Sequence, residues 1–463
     1  MKKHILYILF LFTTVLTISG AKKPKYIFYF IGDGMGMSPV LCAETYNRTV
    51  IGNVTPLLML QFPTVSMATS YSASHTITDS AAAGTALATG HKTNNGMIGM
   101  APDSTNLSSI AYELKKKGYG IAIATSVAPD DATPAAFYAH TSNRTNCYDI
   151  TIDMARSNFD MFAGGRLRGK APEGKPDVED ILCQAGYNIV HGPTQWNEHR
   201  HGNKVLLLNS PYHNDHIGYA IDSIPGNLTL PFITQACIEH MNKVSPKQFF
   251  IMVEGGLIDH GLHPNDAGAS VIEIINFNHS LQHAYDFYRK HPDETLIIVT
   301  ADHNTGGMTA GVSGGPYNLQ MKNLSYQRIS LQNMQHECRR MINESKDSIT
   351  WDDMKTYISD KLGLYATIPV SDKDDATLKE SFRKTFVEKK GAKKQTLYVS
   401  VNHFVESAFH ILDRTTGIGW TTLSHTADFV PVYAIGVGSE QFQGFMDNTD
   451  IPAKIRSICG IKK

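Results

Sequence analysis

Short apolar runs rich in β-branched and aromatic residues recur along the chain, each followed by a polar, glycine-rich turn and a stretch compatible with a helix. This alternation predicts an α/β fold built on a mostly parallel sheet. The strand candidates are Tyr26–Ile31, Ile121–Thr125, Phe249–Val253, Leu296–Thr300 and Val430–Val437. Because ligands of open α/β sheets bind beyond the carboxyl ends of the strands, we expect the residues just after these runs to carry function.

A different pattern occupies residues 308–422, where segments compatible with helices are rich in Lys, Glu and Asp. The helix candidates are Trp351–Leu362, Asp372–Lys390 and Val401–Leu412. The charge density from Asp372 to Lys394 is typical of a solvated face. We therefore interpret this 308–422 segment as a cap or an insertion within the larger fold.

The N-terminus has the charged, apolar and small-residue order of a secretory signal: Lys2 and Lys3, an apolar run from Ile5 to Ile18, and then Ser19–Ala21. A membrane anchor is the alternative, but the run is shorter than the roughly 20 residues that a spanning helix needs. The first cysteine is Cys42, so no residue for lipid attachment stands at the predicted cleavage point after Ala21. We predict a signal peptide at residues 1–21 and an exported protein, periplasmic or secreted, without a stable membrane anchor.

The charge balance excludes one class of partner. Lys and Arg number 42 against 43 Asp and Glu, so the chain has no basic field of the kind that binds nucleic acid. The six cysteines include no Cys-x-x-Cys pair, which argues against a zinc knuckle and a thioredoxin-like site. In an oxidising compartment some of them are able to form disulfides, with a pairing that the sequence leaves open.

Two motifs in the first hundred residues carry candidate chemistry. The turn Gly32–Gly36 lacks the spacing of a dinucleotide loop, and its Asp33 would repel a pyrophosphate, so it is better suited to hold a cation. Ser80 begins the run of small residues Ser80–Ala86, where a helix N-terminus would stabilise an alkoxide or a phosphate bonded to it. On this motif alone, the commoner role of a serine as a helix cap is favoured.

A third motif, Pro129–Ala136, supplies Asp131 and Thr133 as hard oxygen ligands of the kind that magnesium prefers. Arg144 follows it, and an arginine in the same cleft contacts two phosphate oxygens at once, a geometry that lysine cannot reproduce. A salt-bridging arginine on the surface is the alternative.

Acidic residues and histidines follow two later strand candidates. Asp259 and His263 are four residues apart and share a face if a helical turn begins there, a pairing that suits zinc. The Asp-His pair Asp302-His303 follows the Leu296 strand, and His425 precedes the Val430 strand. The full set provides enough N and O ligands for two zinc ions and one harder ion, the arrangement of a phosphoryl-transfer site. Its members are Asp33, Ser80, Thr133, Glu254, Asp259, His263, Asp302, His303 and His425.

From Tyr26 to about Gly438 these motifs resemble those of the alkaline phosphatase family, and they occur in the family's order. The triplet Asp79-Ser80-Ala81 matches the family's nucleophile signature, which implies that Ser80 is phosphorylated and displaces its interpretation as a cap. The resemblance implies a three-layer αβα catalytic domain over residues 22–463, with the 308–422 segment as a helical insertion before the last metal-ligand histidine.

The same resemblance implies hydrolysis of small-molecule phosphate monoesters with two Zn²⁺ ions and one Mg²⁺ ion as cofactors. The implied ligands of the first zinc are Asp259, His263 and His425. Those of the second zinc are Asp33, Asp302 and His303. Those of the magnesium are Asp33, Thr133 and Glu254. Arg144 would clamp the transferred phosphoryl group. Asp131 and His260 occupy positions beside these ligands where family members differ between Asp, His and Lys.

Two departures leave features of the protein open. The stretch between His303 and His425 is longer than in compact members, which affects the entrance to the site. Dimeric members grip their partner with an N-terminal arm, whereas here the first strand begins almost directly after the predicted cleavage site. A homodimer is therefore compatible with the sequence, but without such an arm.

Three alternative functions are disfavoured. Sulfatases need Pro and Arg after the Cys or Ser that becomes formylglycine, and Asp79–Ala82 lacks both. Phosphodiesterases of the same superfamily usually use threonine as the nucleophile and lack an equivalent of Arg144. An exported zinc-binding or phosphate-binding protein would have no need of Ser80. A further set of histidines is interpreted as scattered loop residues rather than as a second metal site: His191, His199, His201, His213 and His216.

Overall fold

The computed structural model describes residues 22–210, 215–315, 317–344, 349–391 and 393–461. The predicted signal peptide lies outside the described residues. No helix within them is long and apolar enough to cross a membrane.

A ten-stranded sheet organises the described part of the chain, in the order β16-β2-β15-β8-β1-β7-β3-β4-β6-β5. The strands are β1 (Tyr26–Gly32), β2 (Thr64–Thr69), β3 (Gly120–Thr125), β4 (Met161–Gly164), β5 (Tyr187–His191), β6 (Lys204–Leu208), β7 (Phe249–Gly255), β8 (Thr295–Ala301), β9 (Asn304–Thr305), β10 (Thr309–Ala310), β11 (Lys394–Gln395), β12 (Ser400–Val401), β13 (Ile418–Gly419), β14 (His425–Thr426), β15 (Val430–Gly436) and β16 (Phe445–Asp447). The seven adjacent strands from β8 to β5 run parallel to one another. Strand β15 lies between β8 and β2 and runs antiparallel to both. The predicted mostly parallel sheet is thus confirmed.

The α-helices flank this sheet or belong to the 308–422 segment. They are α1 (Met37–Tyr46), α2 (Ser80–Thr89), α3 (Ile110–Lys116), α4 (Ala132–Ala135), α5 (Cys147–Arg156), α6 (Val178–Gln184), α7 (Gly192–His199), α8 (Leu230–Val244), α9 (Gly256–Leu262), α10 (Ala267–Lys290), α11 (Leu331–Glu344), α12 (Trp351–Leu362), α13 (Asp372–Phe382), α14 (His403–Thr416) and α15 (Asp450–Cys459). Of these, α8 and α10 pack on the central strands.

The central strand β1 is buried along its whole length, and from Ile27 to Ile31 its side chains are fully inaccessible. A strand covered on both faces reads as a continuous apolar run, which is why it could be recognised in the sequence. Burying such a side chain stabilises the fold by roughly 1.5–3 kcal/mol relative to leaving it in water. This core holds the carboxyl edge of the sheet in place.

The predicted helices of the 308–422 segment are present with shifted ends. α12 has the predicted bounds, and α13 ends at Phe382, where a π-helical turn, Arg383–Val387, continues the predicted helix. α14 begins at His403 rather than Val401, because Asn402 caps it by accepting from the backbone N–H of Val405. All six cysteines lie within the described residues, and the structure joins none of them in a disulfide.

Candidate active site

The carboxyl edge of the sheet brings together residues that are far apart in the chain. In the parallel register, Gly32 of β1 pairs with Gly255 of β7 and Ala301 of β8. Asp33 and Asp302 follow these paired positions directly, and Glu254 precedes Gly255. Because parallel strands end at one edge, three carboxylates that span more than 260 residues of sequence converge there.

The turn after β1 requires glycine. Gly34 has a φ of +68°, which L-residues with a Cβ rarely adopt, and a Cβ there would lie 2.8 Å from Asp259 Oδ1 and from Thr305 Oγ1. The amide of Gly34 donates to Asp302 Oδ1 at 3.0 Å. The turn therefore places the backbone of Gly34 against Asp259 and Asp302, two of the candidate metal ligands.

The first group of candidate metal ligands consists of Asp259, His263 and His425, whose ligand atoms lie within 4.8 Å of one another. Asp259 lies in α9 and His263 follows the end of that helix, so the predicted helical spacing is confirmed. His263 Nε2 lies 3.3 Å from Asp259 Oδ2 and 3.2 Å from His425 Nε2.

Backbone carbonyls orient both of these imidazoles. His263 Nδ1 contacts the carbonyl of Leu423 at 2.6 Å, and His425 Nδ1 contacts that of Thr78 at 2.8 Å. A carbonyl only accepts, so each Nδ1 carries the proton in these contacts and the inward Nε2 is left with a lone pair. Histidines are held in this way when they bind a metal through Nε2.

The second group consists of Asp33, Asp302 and His303, all buried and within the same mutual distance. His303 Nε2 lies 3.1 Å from Asp302 Oδ2 and 3.5 Å from Asp33 Oδ1. The pairing of β14 with β9 places His425 beside this group, and the rings of His303 and His425 stack with centroids 3.6 Å apart. The two groups are therefore adjacent.

Ser80 lies beside the second group of candidate metal ligands. It is the first residue of α2, and its Oγ lies 3.2 Å from His303 Nε2. The interpretation of Ser80 as a cap is wrong, because Asp79 is the N-cap and accepts from the amide of Ala82 at 2.9 Å. The Ser80 hydroxyl is thus not used to hold the helix and faces the candidate metal ligands.

Arg144 reaches the same cleft. Its Nη1 lies 3.3 Å from Asp79 Oδ2, and its Nη2 lies 3.4 Å from Asp131 Oδ1. With 22% of its side chain exposed, the guanidinium is held by two carboxylates yet accessible to a ligand. The alternative of an ordinary surface salt bridge is therefore disfavoured.

Glu254 and Thr133 form the third predicted set with Asp33. Glu254 Oε2 accepts a hydrogen bond from the hydroxyl of Thr125, and Glu254 is 1% exposed. Burial, with Asp131 and Asp302 adding to it, raises the pKa of Glu254 to about 8. Burial and then the charges of Asp302, Asp259 and Glu254 raise the pKa of Asp33 well above its ordinary value.

The chemistry of these residues fits metal ions. Asp33 Oδ1, Asp302 Oδ2 and Thr133 Oγ1 are buried and find no hydrogen-bond partner within the described part of the chain. Buried polar atoms are normally paired, since each unpaired one costs roughly 1–3 kcal/mol. Cations bound among these oxygens would satisfy them and offset the repulsion between the carboxylates.

The structure adds contacts that sequence reasoning missed. Arg168 Nη1 lies 2.8 Å from Asp131 Oδ2, and its Nε lies 2.6 Å from Asp215 Oδ2. Tyr398, from the 308–422 segment, donates to Asp259 Oδ2 at 3.0 Å. No sequence motif surrounds Arg168 or Tyr398. Only the tertiary structure shows that they contact residues of the candidate site.

One histidine of the set interpreted as scattered loop residues lies near the site. His216 is 5% exposed, and its ring centroid lies 6.2 Å from that of His260. His260 in turn stacks on Tyr398 with centroids 3.6 Å apart. His216 lies in a loop, as predicted, and among the described residues it joins neither group of candidate metal ligands, but its contact with His260 places it beside the candidate site.

Comparison with known proteins agrees with this geometry. The family model described as alkaline phosphatase matches residues 24–161 and 156–461. Alkaline phosphatase 4 of Bacillus subtilis is 31% identical over 385 residues, which cover 81% of this chain and 75% of that relative. The crystal structure of a cold-active alkaline phosphatase from a psychrophilic Shewanella species has a TM-score of 0.79 at 27% identity, covering 94% of this chain and 100% of that one.

A variant of the alkaline phosphatase from the Antarctic bacterium TAB5, with magnesium bound in its M3 site, has a TM-score of 0.67 at 26% identity and covers 96% of this chain and 100% of that one. The fold and the site together define a phosphate-ester hydrolase. The chain belongs to the alkaline phosphatase family.

Proposed function

We propose that this protein hydrolyses phosphate monoesters through a covalent phosphoserine on Ser80. The observation that carries the proposal is the position of the Ser80 hydroxyl, at the N-terminus of α2 and 3.2 Å from His303 Nε2, beside two adjacent groups of candidate metal ligands. The family membership supports the monoester as substrate.

Ser80 acts as the nucleophile in this proposal. The Ser80 hydroxyl gives up its proton as its oxygen bonds to phosphorus, the bond from phosphorus to the alcohol oxygen breaks, and that oxygen leaves with the electron pair and takes up a proton. Water then attacks phosphorus and loses a proton, the bond from phosphorus to the Ser80 oxygen breaks, and that oxygen takes up a proton. Inorganic phosphate leaves, and Ser80 returns as the free hydroxyl. The backbone N–H groups at the start of α2 stabilise negative charge on the bound phosphoryl group.

Arg144 supplies the charge that the transferred group needs. In a loose transition state the negative charge spreads over the phosphoryl oxygens, and a guanidinium contacts two of them at once. Asp79 and Asp131 hold the guanidinium in position before substrate arrives, so little ordering is left for the reaction step.

The candidate ligands would hold two zinc ions and one magnesium ion, in the three sets that the family resemblance implies. The chemistry supplied by these ions, when bound, is Lewis-acid stabilisation of the entering and leaving oxygens. The imidazoles of His263, His303 and His425 suit zinc, whereas the oxygens of Thr133 and Glu254 suit magnesium. The magnesium in the TAB5 relative supports the third site.

The proposal is tested by comparing p-nitrophenyl phosphate with bis-p-nitrophenyl phosphate at alkaline pH, with zinc and magnesium present. We expect the monoester to be strongly preferred and Ser80→Ala to lower kcat by at least about 10³-fold, because the nucleophile is removed. Mass spectrometry of acid-quenched turnover samples should find a phosphoryl group on the Ser80 peptide of the wild type.

Ser109→Ala is the matched control, since Ser109 caps α3 and lies outside the candidate site. It should retain activity near that of the wild type. If the diester is preferred, the substrate class is wrong. If metal-replete Ser80→Ala keeps full activity, Ser80 is not the nucleophile.

We also infer that the protein is exported, on the order of charged, apolar and small residues in its first 21 positions. Expression of the full chain followed by N-terminal sequencing of the processed protein tests this. We expect a mature N-terminus at Lys22, and an intact N-terminus on all of the protein would refute the inference.

A further inference from the structure

A short hairpin formed by β11 and β12 brings the 308–422 segment to the candidate active site. Its turn is held by three hydrogen bonds of 3.0 Å: the amide and the hydroxyl of Thr396 both donate to the carbonyl of Val399, and the amide of Val399 donates to Thr396 Oγ1. Tyr398 lies in this turn. A tyrosine held at the tip of a pinned turn has a fixed direction.

Tyr398 contacts three residues at the C-terminal end of α9. Its hydroxyl donates to Asp259 Oδ2 at 3.0 Å. Its ring stacks on His260, with centroids 3.6 Å apart, and meets His263 edge-on at 5.2 Å. Contacts with His260 and His263 thus hold the Tyr398 ring in place, and the position of the ring holds its hydroxyl against the Asp259 carboxylate.

The other oxygen of Asp259 has its own partner. Thr305, next to β14 in the fold, donates its hydroxyl to Asp259 Oδ1 at 2.5 Å. One donor on each oxygen fixes the rotation of the carboxylate about its Cβ–Cγ bond. Among the described residues, the hydroxyl that donates to Asp259 Oδ2 belongs to Tyr398. Of the two hydroxyl donors to Asp259, Tyr398 is the one that lies in the 308–422 segment.

We propose that Tyr398 is a positioning residue for Asp259, through which the 308–422 segment governs how tightly the first candidate metal group retains its zinc. This inference rests on the proposed function, in which Asp259 is a zinc ligand. Partners that orient a metal ligand typically change metal affinity by about 10- to 100-fold when they are lost. The segment would then be part of the catalytic unit rather than only a cover over it.

Tyr398→Phe tests the inference because it removes the hydroxyl and keeps the ring between the histidines. The zinc-loaded full chain is mixed with a chromogenic chelator, and both the equilibrium zinc affinity and the zinc release rate are measured. We expect the affinity for one of the bound zinc ions to fall about 10- to 100-fold, with kcat largely restored in saturating zinc.

The matched control is Tyr365→Phe. Tyr365 lies in the same 308–422 segment and likewise donates to a carboxylate, Asp375 Oδ1, at 2.8 Å. It should retain zinc as the wild type does. Circular dichroism and thermal unfolding in excess zinc verify that both variants are folded.

A third variant separates this inference from the proposed function. If Asp259→Asn loses zinc whereas Tyr398→Phe retains it with wild-type affinity, the positioning role of Tyr398 is refuted and the proposed ligand set stands. If Asp259→Asn retains both zinc ions with unchanged affinity, the proposed ligand set itself is wrong. Loss of zinc affinity in both variants, with none in Tyr365→Phe, supports the inference.

Discussion

Asp131 forms ion pairs with two guanidinium groups, and in the proposed function this sharing sets how free Arg144 is to contact the phosphoryl group. Arg168 takes Oδ2 of the carboxylate and Arg144 takes Oδ1. Burial alone would raise the pKa of Asp131, but Arg168 and then Arg144 outweigh it and hold the pKa below its ordinary value. Asp131 is therefore ionised at the pH of catalysis, and Arg168 neutralises charge that would otherwise draw Arg144 away from substrate.

Replacing Arg168 by Met removes this neutralisation and keeps much of the side chain's apolar length. Arg144 is then drawn toward Asp131. We expect KM for p-nitrophenyl phosphate and the inhibition constant of inorganic phosphate to rise about tenfold, because a charged hydrogen bond contributes roughly 1.5–3 kcal/mol and about 1.4 kcal/mol is a factor of ten. We expect kcat to change less.

Arg156→Met is the control for this change. Arg156 lies on α5 with 75% of its side chain exposed, and its replacement should leave both constants unaltered. An unchanged phosphate inhibition constant in Arg168→Met would show that Asp131 does not compete for Arg144.

Asp266 and Asp222 join the 308–422 segment to the rest of the fold, and Glu273 holds the turn that carries Asp222. Asp266, which caps α10, accepts from the amide of Leu331 at the start of α11 at 2.6 Å. Asp222 accepts from the amide and the hydroxyl of Ser330, both at 2.7 Å. Glu273 of α10 accepts from the amide of Ala220 at 2.6 Å, beside Asp222. These bonds fix where the segment begins relative to α10.

The burial of the Glu273 carboxyl group should make the free energy of unfolding depend on pH. Burial raises its pKa from the ordinary 4.5 to about 8. Between about pH 4.5 and pH 8 the folded protein thus keeps a proton on Glu273 that the unfolded chain has lost. The stability that the buried, protonated carboxyl group contributes is fully present below about pH 4.5 and declines as the pH rises toward 8. Glu273→Gln cannot ionise and can still accept from the amide of Ala220.

We therefore expect the free energy of unfolding of Glu273→Gln to gain on that of the wild type as the pH is raised from 5 to 8, by on the order of a few kcal/mol. Urea unfolding of the metal-loaded proteins at several pH values measures this difference. The exposed Glu239→Gln on α8 is the control, because water solvates that carboxylate in both states. A difference that stays constant between pH 5 and pH 8 would contradict the prediction.

At the scale of the whole molecule, the candidate site joins segments from Asp33 to His425. They lie at the ends of different strands and in the connection that carries β14, so the proposed ions would cross-link most of the length of the chain. Anything that binds only the folded state stabilises it by mass action. Binding of the proposed ions would thereby be coupled to folding.

Chelation should accordingly lower Tm as well as activity. A ligand present at 100 times its Kd stabilises the folded state by about 2.7 kcal/mol, and a domain of this size should lose several degrees when its metals are removed. Calorimetry with chelator, and then with zinc and magnesium restored, measures the change. Asp302→Ala should show a smaller gain from added zinc, whereas an unchanged Tm on chelation would contradict the coupling.

The fold was largely predictable from the sequence. β1, β3, β7 and β8 were recognised within one or two residues, since strands buried on both faces are continuous apolar runs between polar turns. The antiparallel direction of β15 was not predicted, because its apolar run looks the same in either direction. Element ends such as those of α14 depended on a local cap.

The candidate site was predictable where its residues occur in compact motifs. Asp259 and His263 share one helical turn, and Asp302 and His303 are adjacent, so their types and spacing were visible. Their metal-binding roles stay predictions that the experiments on zinc retention test. Arg168 and Tyr398 have no such motif, since a lone arginine or tyrosine in a polar stretch is ordinary.

The sequence by itself determined the family, the five strands β1, β3, β7, β8 and β15, and the short motifs around Ser80 and Asp259, because hydrophobic periodicity and spacing act over a few residues. Only the tertiary structure decided that Arg168 shares Asp131 with Arg144 and that Tyr398 lies against Asp259. Tyr398 and Asp259 are 139 residues apart. Contacts over that separation are set by how the sheet, its helices and the 308–422 segment pack together, which no local pattern encodes.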